Sequence, residues 1–169
     1  FNSGEGSTAV LSGFTITNGL AETIFGGGIH CSNSSPTLNY LKISGNTCSS
    51  CSGGGIWFQN SSSPTITNVT ISGNTASYGG GGINCWNSSP SLSNVTITDN
   101  SADTGSGIRC EENSNPSLMD VTISGNTASS FGGGIHCESN SSPSLMNVTI
   151  SGNTTSSGGG IHCESNSSP

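Results

Sequence analysis

Two histidines and two glutamates are the residues best spaced for chemistry. His136 and Glu138 flank Cys137, and His162 and Glu164 repeat the pattern around Cys163, 26 residues later. Residues two apart in an extended strand share a face. If the two segments stack, the four side chains make a two-by-two patch able to take a divalent metal. The competing reading is a solvated face copied by repeat duplication. It takes precedence, because no cleft is implied around the patch. No other cofactor is indicated.

The carboxylates offer little else. Glu111, Glu138 and Glu164 fall in one rank and repel one another, and Arg109 offsets part of this. Asp99, Asp103 and Asp120 are the only aspartates, and Lys42 and Arg109 the only basic residues. Glu138 could pair with Glu164, but nothing drives their pKa values apart as acid–base catalysis needs. No catalytic residue is assigned, and a non-catalytic protein is expected. Trp57 and Trp86 lie diagonally on the same face and could stack on sugar rings or on a partner.

Five of the seven cysteines, Cys31, Cys85, Cys110, Cys137 and Cys163, occupy equivalent places, and Phe58 takes the sixth. A phenylalanine there marks the position as apolar, so the rank is read as buried, unpaired thiols. Cys48 and Cys51 stand apart and are read as a local disulfide in an oxidising compartment. A C-x-x-C metal or redox site has less support, with no second pair present.

These residues are positioned by a repeat. Prolines at 36, 64, 90, 116, 143 and 169 are spaced by 28, 26, 26, 27 and 26 residues. Ile29, Ile56, Ile83, Ile108, Ile135 and Ile161 keep the same period. In the repeat from Pro64, Thr65-Ile66-Thr67, Val69 to Ser72 and Ile83-Asn84-Cys85 alternate apolar and polar residues, as half-buried strands do. Turn residues separate them, and no stretch shows capped helical periodicity. Such short strands need stacked neighbours. The expected fold is therefore all-β: a right-handed parallel β-helix of about six coils, each of roughly 26 residues with three short strands. Residues 1–8 form a lead-in. Residues 9–169 form one domain, with coils starting near 9, 36, 64, 90, 116 and 143.

Asn68 interrupts two inward segments and is expected to bend the chain in the left-handed region. Asn94, Asp120, Asn147 and the exceptional Tyr40 are its counterparts. A second series, Asn46, Asn74, Asn100, Asn126 and Asn153, is expected to form a side-chain amide ladder. In the first coil Asn18-Gly19 is displaced by one place. Sequons at Asn33, Asn60, Asn87 and Asn140 would carry glycans in a eukaryotic secretory setting, whereas Asn153 should be inward and spared.

Composition narrows the partners. Hydrophobic residues are 29% and charged residues 7% of 169, and the net charge is -7. With two basic residues, nucleic acid is excluded as a partner. No apolar run approaches the ~18 residues of a membrane span. The last residues resemble the start of a further coil, which suggests a fragment or a subunit continuing into a neighbour. Open ends expose unpaired strand edges, and head-to-tail self-association would satisfy them.

G-G-G-I at 26–29, 53–56, 80–83, 132–135 and 158–161, with I-x-x-N ending at the ladder asparagines, resembles right-handed parallel β-helix repeats of bacterial surface and autotransported proteins, including the polymorphic membrane proteins of chlamydiae. The resemblance implies an extracellular or cell-surface location and an adhesive or structural role, as a rod or filament segment with a glycan or cell-surface partner. An alternative is an ice-binding solenoid acting through the exposed ranks of Thr70, Thr96, Thr122 and Thr149, although Lys42 breaks that rank. Another is a protein that binds or degrades polysaccharide.

Overall fold

The computed structural model describes residues 1–23 and 25–169. Three parallel sheets of nine, five and six strands wrap around one axis. Among the described residues there is no helix long and apolar enough to cross a membrane. In the middle coils Thr65–Ser72, Ser91–Thr98 and Ser117–Ser124 pair side by side. Identical side chains meet across the ladder, as in Val69↔Val95↔Val121 and Ile71↔Ile97↔Ile123. These ranks are buried, and each strand closes the apolar face of the one below it. No such face could be buried by one coil alone.

The asparagine bend occurs as expected. Asn68, Asn94, Asp120 and Asn147 have φ of 56, 53, 54 and 52°. Tyr40 adopts the same conformation at φ 50°, with its ring largely exposed. A bulky residue there is unusual, so the bend is imposed by the neighbouring coils rather than by the local residue.

The coils run through three sheets, but the strands divide differently from the sequence reading. In the middle coils the two segments either side of the bend run as one eight-residue strand. The third sheet holds Ile56–Gln59, Ile83–Trp86 and their equivalents. Between them lies a narrow sheet built from pieces such as Thr47–Cys48 and Thr75–Ala76. It buries only small residues, Cys48, Cys51, Ala76 and Ala102, which form a second core cluster. Residues 1–8 are also more than a lead-in. Ser32 N donates to Phe1 O (3.0 Å), Ser35 N to Glu5 O (2.6 Å) and Thr37 N to Ala9 O (2.8 Å), so this segment runs along the next coil as a further turn would.

Two internal ladders hold the corners. Nδ2 of Asn46, Asn74, Asn100 and Asn126 donates to Oδ1 of the next member at 2.9, 2.9, 3.0 and 2.9 Å. The second Nδ2 proton of Asn74 reaches Ile43 O at 3.0 Å, and that of Asn100 reaches Ile71 O at 3.1 Å. Backbone N–H groups of Asn46 and Asn74 share the same acceptors. Amides buried this deeply must be fully paired, and they are. In the displaced first coil, Gly19 N fills the place by donating to Asn46 Oδ1 at 2.9 Å. The second ladder is serine. N–H groups of Ser34, Ser62, Ser88, Ser114 and Ser141 donate to Oγ of the next member at 3.1, 3.1, 3.0, 3.1 and 3.0 Å. A neighbouring outer row runs in the opposite sense: Ser63 N donates back to Ser35 Oγ at 2.9 Å, and Asn115 N back to Ser89 Oγ at 2.9 Å.

Candidate functional site

The candidate site lies on the outer face of the third sheet, where His30, Trp57, Asn84, Arg109, His136 and His162 form one rank in register. The sequence places this rank in solvent, and the structure corrects that. Trp57, Asn84 and His136 are 3, 0 and 2% exposed. The turns that lead into the third sheet fold over the face and bring Phe25, Tyr78 and Phe131 onto it. The glycines make room for this. Gly132 has φ 59°, and a Cβ there would fall 2.8 Å from the His136 Cβ. At Gly79 a Cβ would meet Arg109 Cδ at 2.3 Å.

This face holds a cleft of about 440 Å³, and none of His136, Glu138, His162 and Glu164 lines it. Its aromatic wall is Phe25, Trp57, Trp86 and Tyr78. The Phe25 and Trp57 rings lie 4.3 Å apart between centroids, and Trp57 and Trp86 6.2 Å. Trp86 is 44% and Tyr78 58% exposed. Asp103, Thr104, Arg109 and Glu111 line it as well, with Glu111 next to Trp86 in the same sheet.

The polar side is internally paired. Arg109 Nη2 lies 3.1 Å from Glu111 Oε2 and 2.5 Å from Glu138 Oε1. Asn84 Nδ2 donates to Glu111 Oε1 at 2.8 Å. Burial pushes the Glu111 carboxyl above its usual range, partly countered by Arg109 and Asn84. Asp103 is held below its usual range by hydroxyls of Ser129 and Ser130, both donating to Oδ1 at 2.6 Å. Both serines reach it because an extra residue shifts the register between Ala102 and Thr104 opposite Thr127–Phe131.

The two-by-two metal patch is corrected to three residues. Glu138 turns to Arg109 and leaves the group, because that guanidinium offers it two donors. His136, His162 and Glu164 remain together, with ligand atoms all within 4.8 Å of one another. His136 Nε2 is 3.1 Å from Glu164 Oε1, and burial holds its pKa below the usual histidine value. Phe131 stacks on His162 at 4.8 Å.

Cys48 and Cys51 form a disulfide with Cα atoms 5.2 Å apart. Cys31, Cys85, Cys110 and Cys137 are buried and unpaired, and Cys163 is partly buried and unpaired. Burial pushes Cys31 up to about 12 and Cys163 up to about 11. The hydrogen bond with Cys110, together with burial, raises Cys137 further. For Cys110 the bond to Cys137 pulls down, but the bond with Cys85 and burial outweigh it and leave the thiol well above its usual value. Asn33, Asn60, Asn87 and Asn140 are exposed at left-handed turns. Thr70, Thr96 and Thr149 are exposed and in register, and the exposed Lys42 interrupts their rank. Sequence reasoning missed the aromatic cover and the serine ladder. The cover had a signal, since Phe25, Tyr78 and Phe131 each directly precede the glycine run of their coil. The ladder had one too, a serine two places before every one of the six prolines.

No curated protein and no solved structure matches the chain. A profile described as a right handed beta helix region matches residues 2–169. The coiled parallel sheets, the in-register core and this match over nearly the whole length make the chain a member of the right-handed β-helix family.

Proposed function

We propose that the chain is a rigid, non-catalytic β-solenoid that binds a neutral glycan in the cleft beside Trp57 and Trp86, in an adhesive role outside the cell. The observation that carries this is one open cleft lined by Phe25, Trp57, Tyr78 and Trp86 together with Asp103, Thr104, Arg109 and Glu111. Sugar rings present apolar C–H faces to aromatic rings and hydroxyls to carboxylates and guanidinium groups. The charge balance favours a neutral ligand. Arg109 is already engaged by Glu111 and Glu138, and the chain carries a net charge of -7, so an acidic polysaccharide meets repulsion. Non-catalytic binding is favoured because the Glu111 oxygens are both taken by Asn84 and Arg109, and Asp103 Oδ1 by two serines. The Cys48–Cys51 disulfide supports an oxidising compartment.

The test is titration of tryptophan fluorescence with neutral oligosaccharides of several linkages, and with oligogalacturonate as an acidic comparison. Saturable quenching by a neutral glycan, weakened at least tenfold in Trp86→Ala, is expected. No response to any neutral glycan overturns the reading. Release of new reducing ends would convert it to an enzyme.

A further inference from the structure

The stacking of His162 on His136 occurs once in the rank, because the other places hold tryptophan, asparagine, arginine or a lone histidine. Two places on, Glu164 follows on the same face, and its N–H donates to Cys137 O at 3.0 Å, which fixes it beside the pair. We propose that His136, His162 and Glu164 bind a divalent transition-metal ion of the zinc type.

Two imidazoles and one carboxylate suit zinc or its neighbours, whereas calcium and magnesium prefer oxygen ligands alone. The ligand atoms lie within 4.8 Å of one another. Tetrahedral zinc with bonds of ~2.1 Å sets its ligands about 3.4 Å apart, so modest rotations close the site. Glu164, with its side chain 45% exposed, is free to make them. His136 is 2% exposed and fixed in the wall, and Phe131 stacks on the His162 ring. The site thus has two anchored nitrogens, one adjustable carboxylate and a fourth position for water.

The structure also sets a limit on affinity. If Nε2 of His136 takes the metal, its proton moves to Nδ1 or leaves, and Nδ1 is buried without a hydrogen-bond partner. Metal-binding histidines usually have such a partner. Zinc affinity about 10–100-fold weaker than in a site with that partner follows.

The test is calorimetric titration of the folded chain with zinc chloride alone, with cobalt as a spectroscopic replacement. One equivalent should bind, and cobalt should give tetrahedral visible bands without a thiolate charge-transfer band. His162→Gln and Glu164→Gln should each weaken binding about tenfold or more, and Glu138→Gln should not change it. Glu164→Gln alters an exposed side chain and carries the test if His162→Gln fails to fold. Absence of saturable binding, unchanged affinity in Glu164→Gln, or a thiolate band from Cys163 overturns the proposal. Glycan binding measured with chelator present is unaffected by either result.

Discussion

Arg109 reaches across one coil to Glu138 and donates from both Nε (2.9 Å) and Nη2 (2.5 Å) to the single oxygen Oε1. The same guanidinium holds Glu111 at 3.1 Å. One cation therefore bridges two stacked carboxylates, offsets part of their charge and decides which glutamate is left for the histidine pair.

Arg109→Ala should destabilise the chain by about 2 kcal/mol at neutral pH, the scale of a lost charged hydrogen bond that strands its partners. The deficit should depend on pH. The folded pKa of Glu111 already lies above its ordinary value, so its burial is harmless below that value and costs more as pH rises through the raised one. Loss of Arg109 lifts it further. Urea denaturation should show the deficit shrinking as pH falls toward about 4. A deficit independent of pH would count against this account.

The two inner ladders should be costly to interrupt. Asn100→Ala strands the Asn74 N–H, one Nδ2 proton of Asn74 and the Ile71 carbonyl, while Asn126 Oδ1 keeps the backbone N–H of residue 100. At about 1–3 kcal/mol for each buried orphan, the loss should exceed 3 kcal/mol. Ser88→Ala strands one buried N–H, that of Ser62, and should cost about 1–3 kcal/mol. Asn153 is only partly buried, so Asn153→Ala should cost less than Asn100→Ala. Equilibrium unfolding of the three variants gives the order directly, and equal losses would refute it.

The Cys48–Cys51 disulfide closes a short loop over the small-residue cluster. Chain-entropy reasoning gives it about 2 kcal/mol. The double variant Cys48→Ala/Cys51→Ala should keep its far-ultraviolet spectrum and melt about 4–8 °C lower. Loss of folding altogether would show that this narrow sheet depends on the bond far more than its loop length implies.

The thiol rank predicts weakness in alkali. The folded pKa values of Cys31, Cys110, Cys137 and Cys163 lie above the ordinary 9.0. The unfolded chain therefore ionises first, and stability present below pH ~9 is lost as pH rises toward the folded values. Each thiol contributes up to about 1.4 kcal/mol per pH unit in that window. Cys110→Val should make the fall shallower in denaturation curves between pH 8.5 and about 11. An unchanged slope would mean that Cys110 does not titrate differentially.

The repeat, the coil and the asparagine ladder were legible because each depends on local alternation or on one side-chain type at one place. The bend was legible at Asn68 from the residue type, and at Tyr40 only from its place in the period, because the neighbouring coils rather than the residue impose it there. Two-residue strands such as Thr75–Ala76 carry too little alternation to be read. The choice of Glu138 between Arg109 and the histidines was hidden for a different reason. Arg109 occurs once, and a reading based on equivalence between coils cannot show what a single departure does.

The register shift opposite Thr127–Phe131 is gone by Ile108↔Ile135. From each proline at 36, 64, 90, 116 and 143 to its ladder asparagine the chain counts ten residues, whereas the way from that asparagine to the next isoleucine varies between eight and ten. Residues added to that arc are cancelled within the coil and never inherited by the next one. The molecule thus has one arm of fixed length, from proline to asparagine, and a wall of variable length that borders the cleft. Loops of new length and chemistry can be grafted there one coil at a time, with the rest of the rod left as it stands.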